Sequence, residues 1–247
     1  VLRLAGVVDD AGHWAAGHAT FVQTGDLTDR GPDSKGLIEL LSRLEAEASE
    51  AGGRVVALIG NHEQMNVQGD WRYVTPGDVA AYGGMDARRA AFSATGDSGR
   101  YVRSHGATAL VEDTVFVHGG IHPEWAQRGV DGINAAVRDG LDTPGAPVFG
   151  ESGPLWFRGY ALADEPLACP VLDEALTALG ARRMVVGHTV QRTGHITTRC
   201  DGKLVLIDVG IADHYGGHLA AWEWVDGDTA ALTPNGRVDL ADPPTER

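Results

Sequence analysis

Four short apolar segments of the chain run directly into polar loops that contain glycine. Runs of this length, rich in valine and other apolar residues, predict buried strands, and the glycines predict sharp turns after them. In open α/β sheets, ligands lie beyond the carboxyl ends of the strands. We therefore expect the four loops to meet at one site. The loops are Gly25-Asp26, Gly60-Asn61-His62-Glu63, His118-Gly119-Gly120 and Gly187-His188.

The order of the elements predicts an α/β fold. Between the first two strands, Asp33 can cap a helix whose leucines recur at helical spacing from Leu37 to Leu44. Strand, helix and strand in this order form the βαβ unit of a parallel sheet. Further helices are predicted over residues 78–92 and 172–179. The predicted strands cover residues 19–24, 55–59, 107–111, 114–117, 184–186, 204–208 and 219–225, with one short strand after Asp226.

The chain is interpreted as one domain over residues 1–247. It shows no internal repeat, no low-complexity tract and no inter-domain linker. Residues from about 64 to 105 carry few strand signals, so we expect a helical insertion there. Residues 1–5 have the pattern of the last part of an amphipathic helix.

Charge and composition argue against two kinds of partner. The chain has 34 acidic and 20 basic residues and a net charge of −14, whereas nucleic-acid-binding domains are usually basic. No apolar run approaches the length of a membrane-spanning helix. We therefore expect a soluble, acidic protein without nucleic-acid or membrane partners. The sequence assigns no cellular compartment.

The chain has two cysteines, Cys169 and Cys200. Neither belongs to a CxxC pair or lies near a histidine at zinc-finger spacing. A disulfide between them stays open, but two separate buried thiols are the favoured interpretation.

The polar residues of the four loops are of kinds that bind divalent metal ions. Asp26 and Asn61 offer oxygen atoms, and His118 and His188 offer imidazole nitrogens. A mixed oxygen and imidazole set suits a borderline ion such as manganese, iron or zinc. The flanking glycines allow the backbone to approach such a site closely.

The motifs in these loops resemble those of calcineurin-like metallophosphoesterases, in the same order along the chain. The motifs GDLTDRG at 25–31 and GNHE at 60–63 have the form used by the phosphoprotein phosphatase branch. Segments 118–125, 153–160, 185–191 and 207–217 are similar to those of Shewanella-like protein phosphatases. The resemblance covers nearly the whole chain. It implies two mixed β-sheets packed as a sandwich, with helices outside and the site along one rim.

The resemblance also implies a role for each motif residue. Asp26 would bridge two divalent metal ions, and Asn61, His118 and His188 would complete the second metal site. His62 would be the general acid, with Asp29 orienting it. Arg30, and also Arg158, would bind the phosphate, because a guanidinium fork matches phosphate oxygens in two bonds.

The mechanism that the resemblance implies is hydrolysis of a phosphate monoester by in-line attack. A metal-bridging hydroxide would be the nucleophile, and His62 would protonate the leaving oxygen. The substrate would be a phosphorylated protein or a small phosphate ester, and the leading interpretation is a protein phosphatase. Glu63 is expected to support its loop through hydrogen bonds rather than bind metal.

One motif of the family does not occur in the sequence. Relatives carry Gly-Asp-x-His-Gly on their first strand, and its Asp and His bind the first metal ion. We therefore expect an N-terminally truncated chain that lacks the first strand and has an incomplete first metal site. Such a chain is expected to be poorly active and only marginally stable.

Two other functions stay open. The first is a symmetrical diadenosine tetraphosphatase, which shares the fold and the metal ligands but typically differs at the positions of Asp29, Glu63 and Gly119. The second is a catalytically impaired fragment that binds metal or phosphate without turnover. Phosphotyrosine is the first substrate to test, because some Shewanella-like relatives favour it.

Overall fold

In the computed structural model of the protein, which describes residues 1–244, the strands form groups of five, two and three. The strands are β1 (Thr20–Gln23), β2 (Arg54–Ala57), β3 (Thr108–Val111), β4 (Thr114–Val117), β5 (Arg183–Val186), β6 (Thr197–Arg199), β7 (Leu204–Leu206), β8 (Ala221–Val225), β9 (Asp228–Thr233) and β10 (Gly236–Asp239). The largest group has the order β3-β4-β5-β7-β6 and is mixed. In it, β4, β5 and β7 run parallel, and the outer strands β3 and β6 pair antiparallel to their neighbours.

The helices surround this framework. They are α1 (Ser34–Glu50), α2 (Asn61–Val67), α3 (Pro76–Ala81), α4 (Met85–Ala91), α5 (Asp97–Ser104), α6 (Pro123–Ala126), α7 (Gly129–Gly140), α8 (Gly159–Leu162) and α9 (Glu165–Leu179). Short 3₁₀ turns occupy Pro147–Phe149 and Asp213–Tyr215. No helix among residues 1–244 is long and apolar enough to cross a membrane.

The five-stranded sheet is buried on both faces. Val115 and Val117 of β4 belong to the larger core cluster, together with apolar residues of helices α1, α7 and α9. Phe116, between them in sequence, belongs to the second cluster, with residues of β8 and β9. The same alternation occurs in β5 and β7, because successive side chains of a strand point to opposite faces. Helices therefore cover one face, and the antiparallel group β8–β10 covers the other.

The two-stranded pair β1–β2 is parallel and continues into the main sheet. Leu58 forms a parallel bridge with Gly106, and the Ile59 amide donates to the Gly106 carbonyl at 2.9 Å. Parallel pairing of Gln23 with Ala57, and of Val117 with Val186, places the carboxyl ends of neighbouring strands side by side. The α/β class with packed sheets and outer helices, expected from the sequence, is confirmed.

Several element boundaries differ from the prediction. Residues 78–92 do not form one helix: the left-handed Gly83 and Gly84 (φ 82° and 123°) separate α3 from α4. Helix α9 begins seven residues earlier than expected, despite Pro170 inside it. The region after Asp226 forms two strands, β9 and β10, where one was predicted. Residues 1–5 form a single hydrogen-bonded turn rather than a helix end.

Helix α1 has the predicted N-cap, but its buried face is rotated relative to the face predicted from the leucines. Asp33 accepts a hydrogen bond from the Gly36 amide at 2.8 Å, as expected for an N-cap. Leu41 and Leu44 are buried, whereas Leu37 is 44% exposed and Ile38 is buried in its place.

The interpretation of Cys169 and Cys200 as separate thiols is wrong. The two residues form a disulfide that ties α9 to the turn after β6, and their Cα atoms lie 5.4 Å apart. Sequence spacing could not reveal this pairing, because it depends on how α9 packs beside the β6–β7 hairpin.

Candidate active site

The four predicted metal-ligand side chains lie together beyond the strand ends. Asp26 follows β1, Asn61 opens α2 after β2, and His118 and His188 follow β4 and β5. The Nε2 atom of His118 lies at the centre of the group. It is 2.9 Å from Asn61 Oδ1, 3.1 Å from His188 Nδ1 and 3.3 Å from Asp26 Oδ1.

The backbone at this site adopts conformations that most residues avoid. Asp26, Asp29, Arg30 and His188 all have left-handed φ values, between 58° and 69°. Each such residue costs on the order of 1–3 kcal/mol and persists only where the surrounding structure imposes it. Four of the eight non-glycine residues with left-handed φ among residues 1–244 lie in these two loops, as expected where a functional site imposes the backbone conformation.

Two glycines allow the loops after β1 and β2 to touch. A Cβ atom on Gly60 would lie 2.2 Å from Asp26 Oδ1, and one on Gly25 would lie 2.4 Å from the Gly60 nitrogen. Gly25 also has a left-handed φ of 96°. Any other residue at either position would push Asp26 away from the group around His118.

Glu63 joins the same two loops through hydrogen bonds. Its Oε2 accepts from the amides of Asp26 (2.8 Å) and Gly60 (2.6 Å). Its Oε1 accepts from the amide and the hydroxyl of Thr28 at 2.9 and 3.0 Å. Glu63 as a whole is 1% exposed, so the expectation that Glu63 supports the loop through hydrogen bonds is confirmed.

The group around His118 has the composition of a cation site. His118 Nδ1 lies 2.8 Å from the Thr24 carbonyl and therefore donates its hydrogen there. In the neutral ring, Nε2 then carries a lone pair and no hydrogen. It faces two further acceptors, the Asp26 carboxylate and the Asn61 amide oxygen. A second proton or a bound cation has to offset this crowding of lone pairs. Asp26, His118 and His188 can also place one ligand atom each within 4.8 Å of the others, so the residues fit a divalent metal ion.

The protonation states of two ligands suit metal binding. Burial raises the pKa of Asp26, but the neighbouring charge of His118 outweighs burial and holds that pKa below its ordinary value. Burial, together with the charges of His118 and Arg158, lowers the pKa of His188 to about 3. Asp26 is therefore an anion and His188 a neutral imidazole near neutral pH, which are the forms that ligate metals. Burial lowers the pKa of His118, but the charge of Asp26 outweighs burial and raises that pKa, so His118 has to release a proton when a metal ion binds.

His62 and Asp29 form a buried pair beside this group. His62 Nδ1 donates to Asp29 Oδ2 at 2.7 Å, and His62 Nε2 faces Asp26 Oδ2 at 3.9 Å. Burial alone lowers the pKa of His62, but the hydrogen bond to Asp29 and the charges of Asp26 and Asp29 outweigh it, so the pKa lies above its ordinary value. The ring thus presents Nε2 towards the ligand group while its other nitrogen is held.

The two predicted phosphate-binding arginines have different contacts beside the site. The Arg30 guanidinium lies over the Tyr73 ring at 4.0 Å, and its Nη1 lies 3.3 Å from His214 Nε2. Arg158 Nη1 donates to the His188 carbonyl at 2.6 Å and to Thr189 Oγ1 at 3.2 Å. Arg158 therefore fixes the His188 loop, whereas Arg30 is held mainly by an aromatic face.

Sequence reasoning missed three contributors to this site. The Thr24 carbonyl sets the hydrogen position of His118, and Tyr73 packs against both Arg30 and His62, with its ring centroid 5.2 Å from that of His62. Arg88 lies behind Asp29 and is completely buried. None of these residues belongs to a motif, so local sequence gave no signal for any of them.

The fold and the site define an α/β enzyme that hydrolyses phosphate esters. Residues 5–192 match the sequence model of the family described as calcineurin-like phosphoesterase, and the chain belongs to that family.

Two relatives extend the comparison. The chain is 38% identical, over 248 residues, to an uncharacterized protein of Schizosaccharomyces pombe; the match covers 94% of this chain and 74% of the relative. It is 31% identical to Shewanella-like protein phosphatase 2 of Arabidopsis thaliana, with 85% of this chain and 66% of the relative covered. The chain thus spans just under two thirds of that phosphatase.

Solved structures of phosphatases have a similar fold. The fold is similar to that of a cold-active protein tyrosine phosphatase, with a TM-score of 0.86 and 28% sequence identity, over 98% of this chain and 73% of the other. A cold-active protein-tyrosine phosphatase of a psychrophilic Shewanella species matches with a TM-score of 0.76 and 28% identity, over 97% of this chain and 72% of the other.

Proposed function

We propose that the protein is a metal-dependent phosphomonoesterase that acts on phosphorylated proteins or small phosphate esters. One observation carries the proposal: His62, held by Asp29, presents its Nε2 atom 3.9 Å from a carboxylate oxygen of the ligand group around His118. A proton donor is thereby fixed next to a cation site. That combination serves phosphoester hydrolysis, in which a leaving oxygen must be protonated while phosphate charge is offset.

Each residue of the candidate site has a distinct task in this proposal. Asp26, Asn61, His118 and His188 hold divalent cations, for which manganese, iron and zinc suit the donor set. When bound, such cations supply positive charge against the phosphate and acidify water. Domain 1–247, including the helices between residues 64 and 105, is proposed to act as one unit around this site.

The remaining residues handle the substrate. Arg30 and Arg158 bind the phosphate oxygens, and their positive charge orients the ester. His62 gives the proton on Nε2 to the leaving oxygen. Asp29 accepts the hydrogen bond from Nδ1, which keeps the ring in the orientation and tautomer that this transfer requires.

Aromatic side chains beside the site support an aryl phosphate as substrate. The Tyr73 ring packs against both His62 and Arg30, and Tyr215 lies 5.9 Å from the Arg30 guanidinium carbon. Two solved relatives are named as protein tyrosine phosphatases. A phosphotyrosine side chain would place its ring against these aromatic faces and its phosphate against Arg30. We therefore propose phosphotyrosine as the first substrate class.

The test is hydrolysis of 4-nitrophenyl phosphate and of a phosphotyrosine peptide, with and without manganese. We expect weak turnover that requires the metal ion, because the motif that binds the first metal ion in relatives does not occur in the sequence. Asp26→Asn should abolish it, and His62→Asn should reduce kcat by roughly 100-fold or more, the usual contribution of a general acid. His195→Asn, at an exposed position outside the site, is the matched histidine control and should leave kcat unchanged.

Three results would contradict the proposal. Turnover that persists in Asp26→Asn would exclude the cation site as its source. Faster hydrolysis of diadenosine tetraphosphate than of either monoester would favour the tetraphosphatase alternative. Metal or phosphate binding without any turnover would indicate the catalytically impaired alternative.

A further inference from the structure

Helix α4 carries an arginine that is completely shielded from solvent. The Arg88 side chain has 0% exposure and lies beside Asp29. Its Nε donates to Asp78 Oδ2 at 2.7 Å, and its Nη1 donates to Asn66 Oδ1 at 2.6 Å. Burying a cation without ionic partners costs desolvation free energy. The guanidinium is therefore stable only where it keeps these contacts.

Three aromatic rings enclose the same guanidinium. Its central carbon lies 4.6 Å from the ring centroid of Phe92, 5.3 Å from that of Trp71 and 5.5 Å from that of Tyr82. Aromatic faces attract a cation, most strongly where water is excluded. Asp78, Asn66 and Asp29 lie against the remaining parts of the guanidinium.

Asp29 and Arg88 form a buried ion pair. Arg88 Nη2 lies 3.6 Å from Asp29 Oδ1, an ion-pair distance longer than a hydrogen bond, and in the part of the chain that the structure describes neither atom has a hydrogen-bond partner. The other oxygen of Asp29 accepts from His62 Nδ1 at 2.7 Å. One carboxylate thus connects the buried arginine to the histidine that faces the site.

A second connection reaches His62 through its backbone. Asn66, whose Oδ1 accepts from Arg88, donates from Nδ2 to the His62 carbonyl at 2.8 Å. Arg88 therefore contacts a partner of the His62 ring and a partner of the His62 backbone. Asp78 alone would balance the charge of Arg88, so charge balance does not account for these two additional contacts.

We propose that Arg88 is a positioning residue for the proton donor of the proposed phosphoesterase. By holding Asp29 and Asn66 at once, the guanidinium fixes the direction in which His62 Nε2 points at the leaving oxygen. A lysine could keep the charge but not the three contacts, because its ammonium is a single point and lacks the rigid fork. The inference rests on the function proposed above.

Leaving-group dependence separates positioning from simple structural damage. 4-Nitrophenolate leaves without needing a proton, whereas the oxygen of phenyl phosphate needs one. In Arg88→Lys, we expect kcat for phenyl phosphate to fall by at least roughly 10-fold, a part of the general-acid contribution. We expect kcat for 4-nitrophenyl phosphate to fall far less and KM for both to stay within about threefold.

Two further variants test the route through Asp29. Asp29→Asn should show the same leaving-group pattern, and the double variant with Arg88→Lys should lose little more than Asp29→Asn alone, because residues that act as a unit are not additive. Leu172→Ala, at a buried position of α9, is the control for lost stability and should change kcat for both substrates by the same factor. If Arg88→Lys does not fold, Asp78→Asn carries the same expectation, since it removes one anchor of Arg88.

The outcomes distinguish the two proposals. Equal losses for both esters in Arg88→Lys, while His62→Asn shows the leaving-group pattern, would overturn the role of Arg88 and leave the phosphoesterase proposal standing. Fully additive effects of Arg88→Lys and Asp29→Asn would also overturn it. A wild type without metal-dependent turnover of either ester would overturn the proposed function and, with it, the role of Arg88.

Discussion

The Nε2 atom of His118 lies 2.9 Å from the amide oxygen of Asn61. The other nitrogen of the ring donates to the Thr24 carbonyl, so in the neutral ring two acceptors face each other at hydrogen-bond distance. A second proton on the ring, or a cation bound beside the two atoms, relieves this contact between acceptors. The pair therefore fits a cation site.

Metal binding should therefore stabilise the fold. A ligand that binds only the folded state at 100 times its Kd adds about 2.7 kcal/mol. For a chain of this size that corresponds to a rise in Tm of roughly 5–10 °C. We expect manganese to produce such a rise in thermal unfolding, and EDTA to reverse it.

His118→Ala provides the matched test of this prediction. It should abolish most of the metal-dependent rise in Tm, whereas His195→Ala, on an exposed loop, should keep it. An equal rise in wild type and His118→Ala would place the bound metal elsewhere.

Replacement of Glu63 should destabilise the protein more than an ordinary surface substitution. In Glu63→Gln, the new amide group would meet N–H and O–H donors of Asp26, Gly60 and Thr28, so at least one buried donor would lose its acceptor. The expected loss is about 2–4 kcal/mol in the free energy of unfolding, measured with urea. Glu39→Gln, at a side chain 67% exposed, should change it by less than about 0.5 kcal/mol.

The stability of the protein should depend on pH through His105. Burial lowers the pKa of His105, but its hydrogen bonds to Glu45 (2.9 Å) and to the Tyr101 carbonyl (2.6 Å) outweigh burial and raise that pKa above its ordinary value. A raised pKa means that the folded state holds the proton more tightly than the unfolded chain does. The contribution of His105 to stability is therefore complete below about pH 6.5 and is lost as pH rises through the higher, folded-state pKa.

Urea unfolding between pH 5.5 and 8.5 measures this contribution. The difference in unfolding free energy between wild type and His105→Gln should be largest at the acidic end and should shrink towards pH 8.5. Glu45→Gln should flatten the same pH dependence, because it removes the ionic partner. A difference in unfolding free energy that grows with pH would show that His105 is not the source of this pH dependence.

The disulfide between Cys169 and Cys200 should contribute substantially to stability. It closes a segment with a sequence separation of 31 residues, for which the chain-entropy relation gives roughly 3–4 kcal/mol. The double variant Cys169→Ala/Cys200→Ala should lower the unfolding free energy by about that amount in urea. Dithiothreitol should destabilise the wild type and have no effect on the double variant, whereas equal stability of the two would show that the thiols are not paired.

Predictions from the sequence are reliable where structure follows from local pattern. The strand ends before Asp26 and His118 were predicted because apolar runs and glycine turns are local features. Glu63 was correctly expected to support its loop. Helix α3 and helix α4 were merged in the prediction, because two consecutive glycines in the left-handed region end a helix that the apolar spacing alone would continue.

The sequence by itself determined the α/β class and the residues that the parallel strands carry to one rim, because a strand and the loop after it are specified by neighbouring residues. The tertiary structure decided the partners that join distant segments. Arg88 meets Asp29 across 59 positions, and Cys169 meets Cys200, because packing of α4 and α9 brings them together. No periodicity encodes such pairs: they depend on which helix faces cover the sheet, and that is settled only when the whole core is assembled.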